Sequence, residues 1–461
     1  MPILAAFIAP HPPIIIPQIG RGEEKKIQST TNALHSMGQR MGELKPQTII
    51  VISPHSIMYA DYIHISPFLH ARGDLGGFHA QEIVFEKKYD AEFVSALSKE
   101  ATKAGIPAGT QGERDASLDH GVMVPLYFVD QYYTDYDLVR ISISGLSPLE
   151  HYRFGQCIAK AAEQLDRRIV IIASGDLSHK LRKSGPYGYA AEGPQFDAQI
   201  TQAMASGDFL QFMTFNEEFC EASAECGLRS FIEMSGALDS VAVSSSLLSY
   251  EGPFGVGYAV CSYEIIGPDE SRNFGEQLNN KIEKRVYKIR GTEDEFVRLA
   301  RHTLETYIRT GKRIQVPPGL SPALMHHRAG VFVSIKKDGR LRGCIGTITA
   351  TESSIADEIV LNAISSGTRD PRFEAVTEEE LDSLEYSVDV LGEAEPVTST
   401  EVLDVKRFGV IVSSGSRRGL LLPNLEGVDT PEQQISIAKQ KAGIGSDEPY
   451  SLQRFEVVRH K

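Results

Sequence analysis

The stretch IVIIASGDLSH, from Ile169 to His179, decides the fold. Its first half, Ile169–Ala173, is a short, β-branched apolar run of the kind that forms a strand buried on both faces. Its second half turns polar at once and ends in a histidine. The same pattern occurs upstream, where Ile3–Ala9 runs into Pro10-His11-Pro12 and Thr48–Ser53 runs into Pro54-His55-Ser56. Leu138–Ile143 is a fourth apolar run. Between the runs lie amphipathic stretches with helical spacing of apolar residues: Gly22–Leu44, Asp90–Ala104, Pro148–Leu165 and Pro194–Ala205. This alternation predicts an α/β domain, layered, with a largely parallel sheet flanked by helices.

A chain of 461 residues is too long for one hydrophobic core. Around Gly267–Asn273 it turns polar and loses apolar periodicity, and a charged segment, Glu276–Arg290, follows. The expected division is a first domain over residues 1–268, a linker over 269–284 and a separate α+β domain over 285–461. In that second part the pattern predicts a helix over Glu293–Thr310, a Pro/Gly loop over Pro317–Pro322 and a hairpin turn at Lys336–Arg340. Strands are expected over Gly330–Lys336, Leu384–Leu391 and Gly409–Val412.

Composition excludes several function classes. The chain is 41% hydrophobic and 23% charged, and no apolar run approaches the roughly 20 residues that span a bilayer, so no membrane role is expected. A net charge of −14 without any long Lys/Arg run argues against a nucleic-acid partner. The N-terminal MPILAAFIAPHPP has no basic leader region and reads as a first strand, which predicts a cytoplasmic protein. Five scattered cysteines without CxxC pairs speak against a disulfide framework and against a structural zinc cluster.

In open α/β sheets, ligands bind outside the carboxyl ends of the strands, so His11, His55 and His179 are expected to converge on one crevice. His120, in Ser117-Leu118-Asp119-His120-Gly121, stands just before the apolar Val122–Val129 and fits a helix N-terminus. Glu225 and Cys226 precede Leu228–Leu238 in the same manner. Imidazole and carboxylate donors suit divalent iron, whereas a thiolate in place of the carboxylate favours zinc or copper. His35, His64, His70, His79 and His151 lack strand-end placement and are read as structural or surface residues.

Five segments together, Ala9–Pro13, Ser53–His55, Leu118–Gly121, Ser174–His179 and Gly255–Ala259, resemble the class III extradiol dioxygenase LigB family, whose fold the Memo family shares. The resemblance implies Fe(II) held by His11 and His55, while a thiolate ligand would leave copper or zinc as alternatives. The third-ligand position falls at Cys226, with Glu225 beside it; register favours the former and dioxygenase chemistry the latter. It implies an acid/base role for His179, supported by Asp176 and His120, and a catechol-like aromatic small molecule as substrate.

Residues 285–461 resemble the AMMECR family through Leu341-Arg342-Gly343-Cys344-Ile345-Gly346, Arg369–Phe373, Tyr386-Ser387-Val388 and Gly419–Pro423. The pairing of the two families resembles the AmmeMemoRadiSam system, which implies a radical-SAM protein as partner. Arg342 and Cys344 sit in a glycine-flanked turn or strand. Cys344 is a candidate nucleophile or redox thiol, with Arg369 and Arg372 as candidate anion holders. The competing reading packs Cys344 in a core strand and pairs the arginines with local carboxylates.

Overall fold

The strand runs find their partners in a six-stranded sheet. The computed structural model describes residues 2–112, 117–337, 339–425 and 427–461; Asp338, within the expected turn Lys336–Arg340, lies outside them. The sheet comprises β1 (Ile3–Ala9), β2 (Thr48–Ser53), β3 (Asp137–Ser142), β4 (Ile169–Ser174), β5 (Val241–Glu251) and β6 (Tyr258–Pro268), in the order β3-β2-β4-β1-β6-β5. The first four are mutually parallel, and β5 and β6 add an antiparallel pair beside β1. Every residue of β2 and β4 is buried, as a sheet covered on both faces requires.

The helices follow the amphipathic stretches. Pro148–Leu165 opens with a full capping box, in which Ser147 and Glu150 satisfy each other's backbone N–H, and Asp119 caps His120–Val129 by accepting from the Val122 N–H. The expected helix Gly22–Leu44 is a 3-10 stretch, Glu23–Ile27, followed by an α-helix, Gln28–Leu44. A hairpin, His70–Leu75 with Ala80–Lys88, and the long pair β5 and β6 were not anticipated. Serine-rich β5 (VAVSSSLLSYE) is half exposed, so no continuous apolar run advertises it.

The chain divides into two compact units, Met1–Asn279 and Asn280–Lys461. Residues 269–284 hold a short 3-10 turn, Glu270–Arg272, and the start of the helix Phe274–Arg290, within which the division falls. The second unit is a curled, antiparallel, seven-stranded sheet. Its strands are β7 (Val331–Lys337), β8 (Arg340–Gly346), β9 (Leu384–Leu391), β10 (Glu395–Pro396), β11 (Phe408–Ser414), β12 (Arg417–Leu421) and β13 (Ser451–His460). They run in the order β8-β7-β9-β13-β11-β12, with β10 paired to β13. Val331, Val333 and Ile335 of β7 pack on the helices Glu295–Thr310 and Ile355–Thr368, while Ser334 faces the other way. Among the described residues no helix is long and apolar enough to cross a membrane.

Candidate metal centre

Three adjacent central strands, β2, β4 and β1, end side by side, and the chain leaving each end carries one of the strand-end histidines. His11 Nε2 and His55 Nε2 lie 3.0 Å apart, and Cys226 Sγ is 3.7 Å from His11 Nε2. The three donor atoms all fall within 4.8 Å of one another. Cys226 reaches the strand ends because Gly175 and Gly227 pass almost in contact: a Cβ on Gly175 would sit 2.1 Å from the Gly227 Cα. The Asp176 N–H then donates to Cys226 Sγ at 3.3 Å.

The hydrogen bonds fix which nitrogen of His11 is bare. The Ser174 hydroxyl donates its single proton to the Gly121 carbonyl at 2.6 Å, so toward His11 Nδ1, 2.9 Å away, it accepts. His11 therefore carries Nδ1–H and presents the lone pair of Nε2 to His55 and Cys226. Asp176 Oδ1 accepts from the His11 backbone N–H at 2.9 Å, and Oδ2 lies 4.0 Å from Nε2. On the β2 side, Asp119 accepts from the hydroxyls of Ser53 at 2.6 Å and Ser56 at 2.7 Å, tying the start of the His120 helix to the turn that carries His55.

Burial, and then the neighbouring imidazoles, push His11 well below its ordinary range; His55 is lowered to about 4, first by burial and then by His120, with Asp119 opposing. Both rings are thus neutral donors at neutral pH. Burial first, then the negative charges of Asp176 and Glu225, hold the Cys226 thiol well above the usual thiol range, and burial lifts Asp176 to about 7. A dication reverses the penalty on the thiolate. At metal–nitrogen distances of about 2.1 Å, a pair of imidazole nitrogens about 3 Å apart meets one ion at close to a right angle, so the donor set fits a divalent transition metal.

His120 and His179 border this group. The His120 ring lies 4.2 Å from that of His55 and 5.3 Å from that of His11, with Phe78 at 5.5 Å. His179 donates Nδ1–H to the Leu177 carbonyl at 3.1 Å; burial lowers the ring below its ordinary range, against the raising effect of backbone bonds to the Ala224 and Leu177 carbonyls. Tyr187, exposed to solvent, stands edge-on to His179 at 5.1 Å. Glu225 is turned away from the cluster: its carboxylate accepts from the Leu228 N–H at 2.7 Å, at the start of its own helix. Sequence reasoning missed Ser174 as the group that sets the His11 tautomer; its signal was a polar residue closing an otherwise apolar strand.

Residues 5–261 match the family described as the catalytic LigB subunit of aromatic ring-opening dioxygenase. The chain belongs to the LigB family. Its second domain, residues 297–460, matches AMMECR1. The Clostridium acetobutylicum protein CA_C1420 is 42% identical over 464 residues, 99% of this chain and 98% of its own length, so the likeness spans both domains. A Thermotoga maritima protein is 48% identical over 171 residues, 37% of this chain and 98% of that protein. The crystal structure of the uncharacterized protein PH0010 from Pyrococcus horikoshii is 33% identical and covers 36% of this chain and 88% of that one, with a TM-score of 0.34. LigB-family proteins are typically non-heme metal-dependent dioxygenases.

The AMMECR1-type domain places its motif residues differently from one another. Cys344 lies on β8 opposite Ser334, whose hydroxyl donates to Sγ at 3.2 Å; its N–H donates to Asp370 Oδ2 at 2.9 Å. Arg372 forms a fork on Asp370 at 2.7 and 2.9 Å and also donates to the Cys344 carbonyl at 3.3 Å. Arg342 forms a fork on Glu380 at 2.9 and 3.0 Å. Arg369, at the end of the helix Ile355–Thr368, is exposed. Cys344 and Arg372 are brought together, then, while Arg342 is engaged elsewhere. Burial raises the Cys344 thiol.

Proposed function

We propose that the N-terminal unit is a non-heme Fe(II)-dependent oxidoreductase of the extradiol ring-cleavage type, acting on a catechol-like aromatic small molecule. The observation that carries this reading is His179. A site that only stores or senses a metal needs its ligands and nothing more, whereas here a further imidazole, held below its ordinary range by burial, stands beside the ligand group. Iron bound to His11, His55 and Cys226 would supply a Lewis acid and the redox chemistry of dioxygen.

The chain's own residues do the rest. Ser174 holds the His11 ring in the tautomer that presents Nε2. Nε2 of His179 accepts the proton of a substrate hydroxyl and returns it later, while its Nδ1–H stays on the Leu177 carbonyl. Phe78 and Tyr187, edge-on to His120 and His179, offer aromatic walls for a flat substrate. Five cysteines, all unpaired, suit a reducing compartment, and we place the protein in the cytoplasm.

A second reading has one observation in its favour: a cysteine, and not the neighbouring Glu225, faces the histidines. On that reading the unit is a non-catalytic metal- or ligand-binding module, holding zinc or copper as readily as iron and working with a radical-SAM partner of an AmmeMemoRadiSam system. Oxygen uptake by Fe(II)-loaded protein against a panel of catechols and aminophenols separates the two. We expect uptake by the wild type and a loss of about 100-fold or more in His179→Ala with iron retained. Silence across the panel with tight metal binding would sink the enzyme reading and leave the module.

A further inference from the structure

The segment that carries His179 has no regular secondary structure, yet it is clamped from several elements. The Leu177 N–H donates to the Gly257 carbonyl and the Gly257 N–H to the Ser178 carbonyl, both at 2.8 Å. The Ser178 hydroxyl and the His179 N–H both donate to the Ser223 carbonyl, at 2.9 and 3.1 Å. The remaining bond comes from the helix Glu192–Ser206: Asp197 Oδ1 accepts from the Ser178 N–H at 2.8 Å, and Oδ2 accepts from the Tyr250 hydroxyl of β5 at 2.7 Å.

Asp197 is 1% exposed on a helix face otherwise made of Phe196, Ile200, Ala203 and Met204. Burying a carboxyl among apolar side chains is costly unless its bonds serve something. Burial does raise this one, to about 6, against the opposing effect of its two donors. The fit leaves no slack: a Cβ on Gly257 would lie 2.1 Å from Asp197 Oδ2, and a Cβ on Gly193 would lie 2.6 Å from Ser178 Oγ. One donor to Asp197 lies in the segment itself and the other on β5, and the segment places Leu177, whose carbonyl accepts from His179 Nδ1.

We propose that Asp197 is a positioning residue for His179, holding the Leu177–Ser178 backbone so that the ring keeps Nδ1–H on the Leu177 carbonyl. The assignment rests on His179 being the proton carrier, and it adds a residue outside the metal ligands. Misplacement of a reacting group by about 1 Å costs up to about 100-fold in rate, so a displaced segment should reduce turnover without touching the metal.

The experiment uses the full-length chain loaded with Fe(II), alongside the metal-free chain with 15N-labelled histidine, in which His179→Gln identifies the His179 signals. Three variants are compared with wild type: Asp197→Ala, which removes both acceptors; Asp197→Asn, which keeps an oxygen for the Ser178 N–H; and Tyr250→Phe, which removes only the second donor. In Asp197→Ala we expect Fe(II) affinity within about twofold of wild type, loss of the fixed Nδ1–H tautomer signature, and kcat down by about 10-fold to 100-fold with KM little changed. Asp197→Asn restores the signature, and Tyr250→Phe keeps it.

A wild-type tautomer signature in Asp197→Ala would overturn the proposal, as would failure of Asp197→Asn to restore it. So would loss of Fe(II) in step with the signature, since Asp197 would then frame the whole site. Should Asp197→Ala not fold, the asparagine and phenylalanine variants decide, because a shifted His179 signature in Asp197→Asn would contradict the role of Oδ1. A wild type inert toward catechols counts against the ring-cleavage reading alone, and the tautomer measurement still judges Asp197.

Discussion

The two units each gather a polar cluster around a cysteine, and the clusters are built on opposite principles. Around Cys226 burial drives His11 and His55 away from protonation, and it does the same to His120 and His179. Of these, His11 and His55 bring Nε2 atoms to within 3.0 Å of each other, beside Cys226 Sγ. Around Cys344 the charges are closed on themselves: Arg372 on Asp370, Arg342 on Glu380, and Arg459 on Asp389 at 2.7 and 3.0 Å. The pairing with Arg372 lowers Asp370 to about 2, and bonds from Arg342 and the Thr377 N–H bring Glu380 to about 2 against the cost of burial. Two neutral imidazoles and a thiol that face one another could hold a cation, whereas charges already matched hold chain to chain. The difference agrees with the ligand role proposed for the first cluster and with a structural role for Arg342 and Arg372 in the second.

The largest effect that could break this contrast is on metal affinity. Removing even the outer hydrogen-bond partner of a metal ligand costs about 10-fold to 100-fold, so His55→Ala, which removes a donor atom, is expected to weaken Fe(II) binding by more than about 100-fold in an anaerobic titration. A full equivalent of iron retained by that variant would mean that the Nε2 pair is a hydrogen bond and nothing else. The complementary change lies in the other unit. Glu380→Ala strips Arg342 of both its carboxylate bonds and Lys337 of its partner at 3.1 Å, and is expected to lower stability by about 2 kcal/mol, since these side chains are mostly shielded but still reached by solvent. Denaturant unfolding measures it, and iron binding should stay unchanged. A drop in iron affinity without a drop in stability would reverse the assignment.

Much of the first unit was legible because its signals are local. An apolar run that turns polar at once and reaches a histidine within a few residues marks both a buried parallel strand and the crevice at its carboxyl end, and His11, His55 and His179 all satisfy it. Strand β5 escaped because a half-exposed, serine-rich strand carries no continuous apolar run, and the hairpin from His70 to Lys88 escaped because its exposed positions are charged and polar. The choice between Glu225 and Cys226 was not readable either: consecutive residues point in different directions, and only the near contact of Gly175 with Gly227 determines which faces the histidines. In the second unit the motif residues were visible, but the carboxylates that engage them were not. Glu380 stands 38 residues from Arg342, and Asp370 stands 26 residues from the Cys344 N–H it accepts, so only the fold brings each pair together.

The smallest of the expected effects discriminates most finely, because it counts protons. A thiol held well above its usual range is still protonated at about pH 8, and a metal takes it only as thiolate, so binding must expel that proton. No other member of the cluster contributes at that pH: His55, at about 4, and His11, held well below its ordinary range by burial, are already neutral, and Asp176, at about 7, is largely ionised. Calorimetric titration with Co(II) in two buffers of different ionisation enthalpy should therefore report about one proton released per metal, with affinity rising about tenfold per pH unit near pH 8. The sign follows from the thiol alone: a higher pH removes the proton that binding would otherwise have to displace. Cys226→Ala should bind more weakly and lose the slope. Release of no proton by the wild type would take the thiolate out of the ligand set and return the third position to a carboxylate, Glu225 first, and with it the donor set expected of a working ring-cleavage dioxygenase.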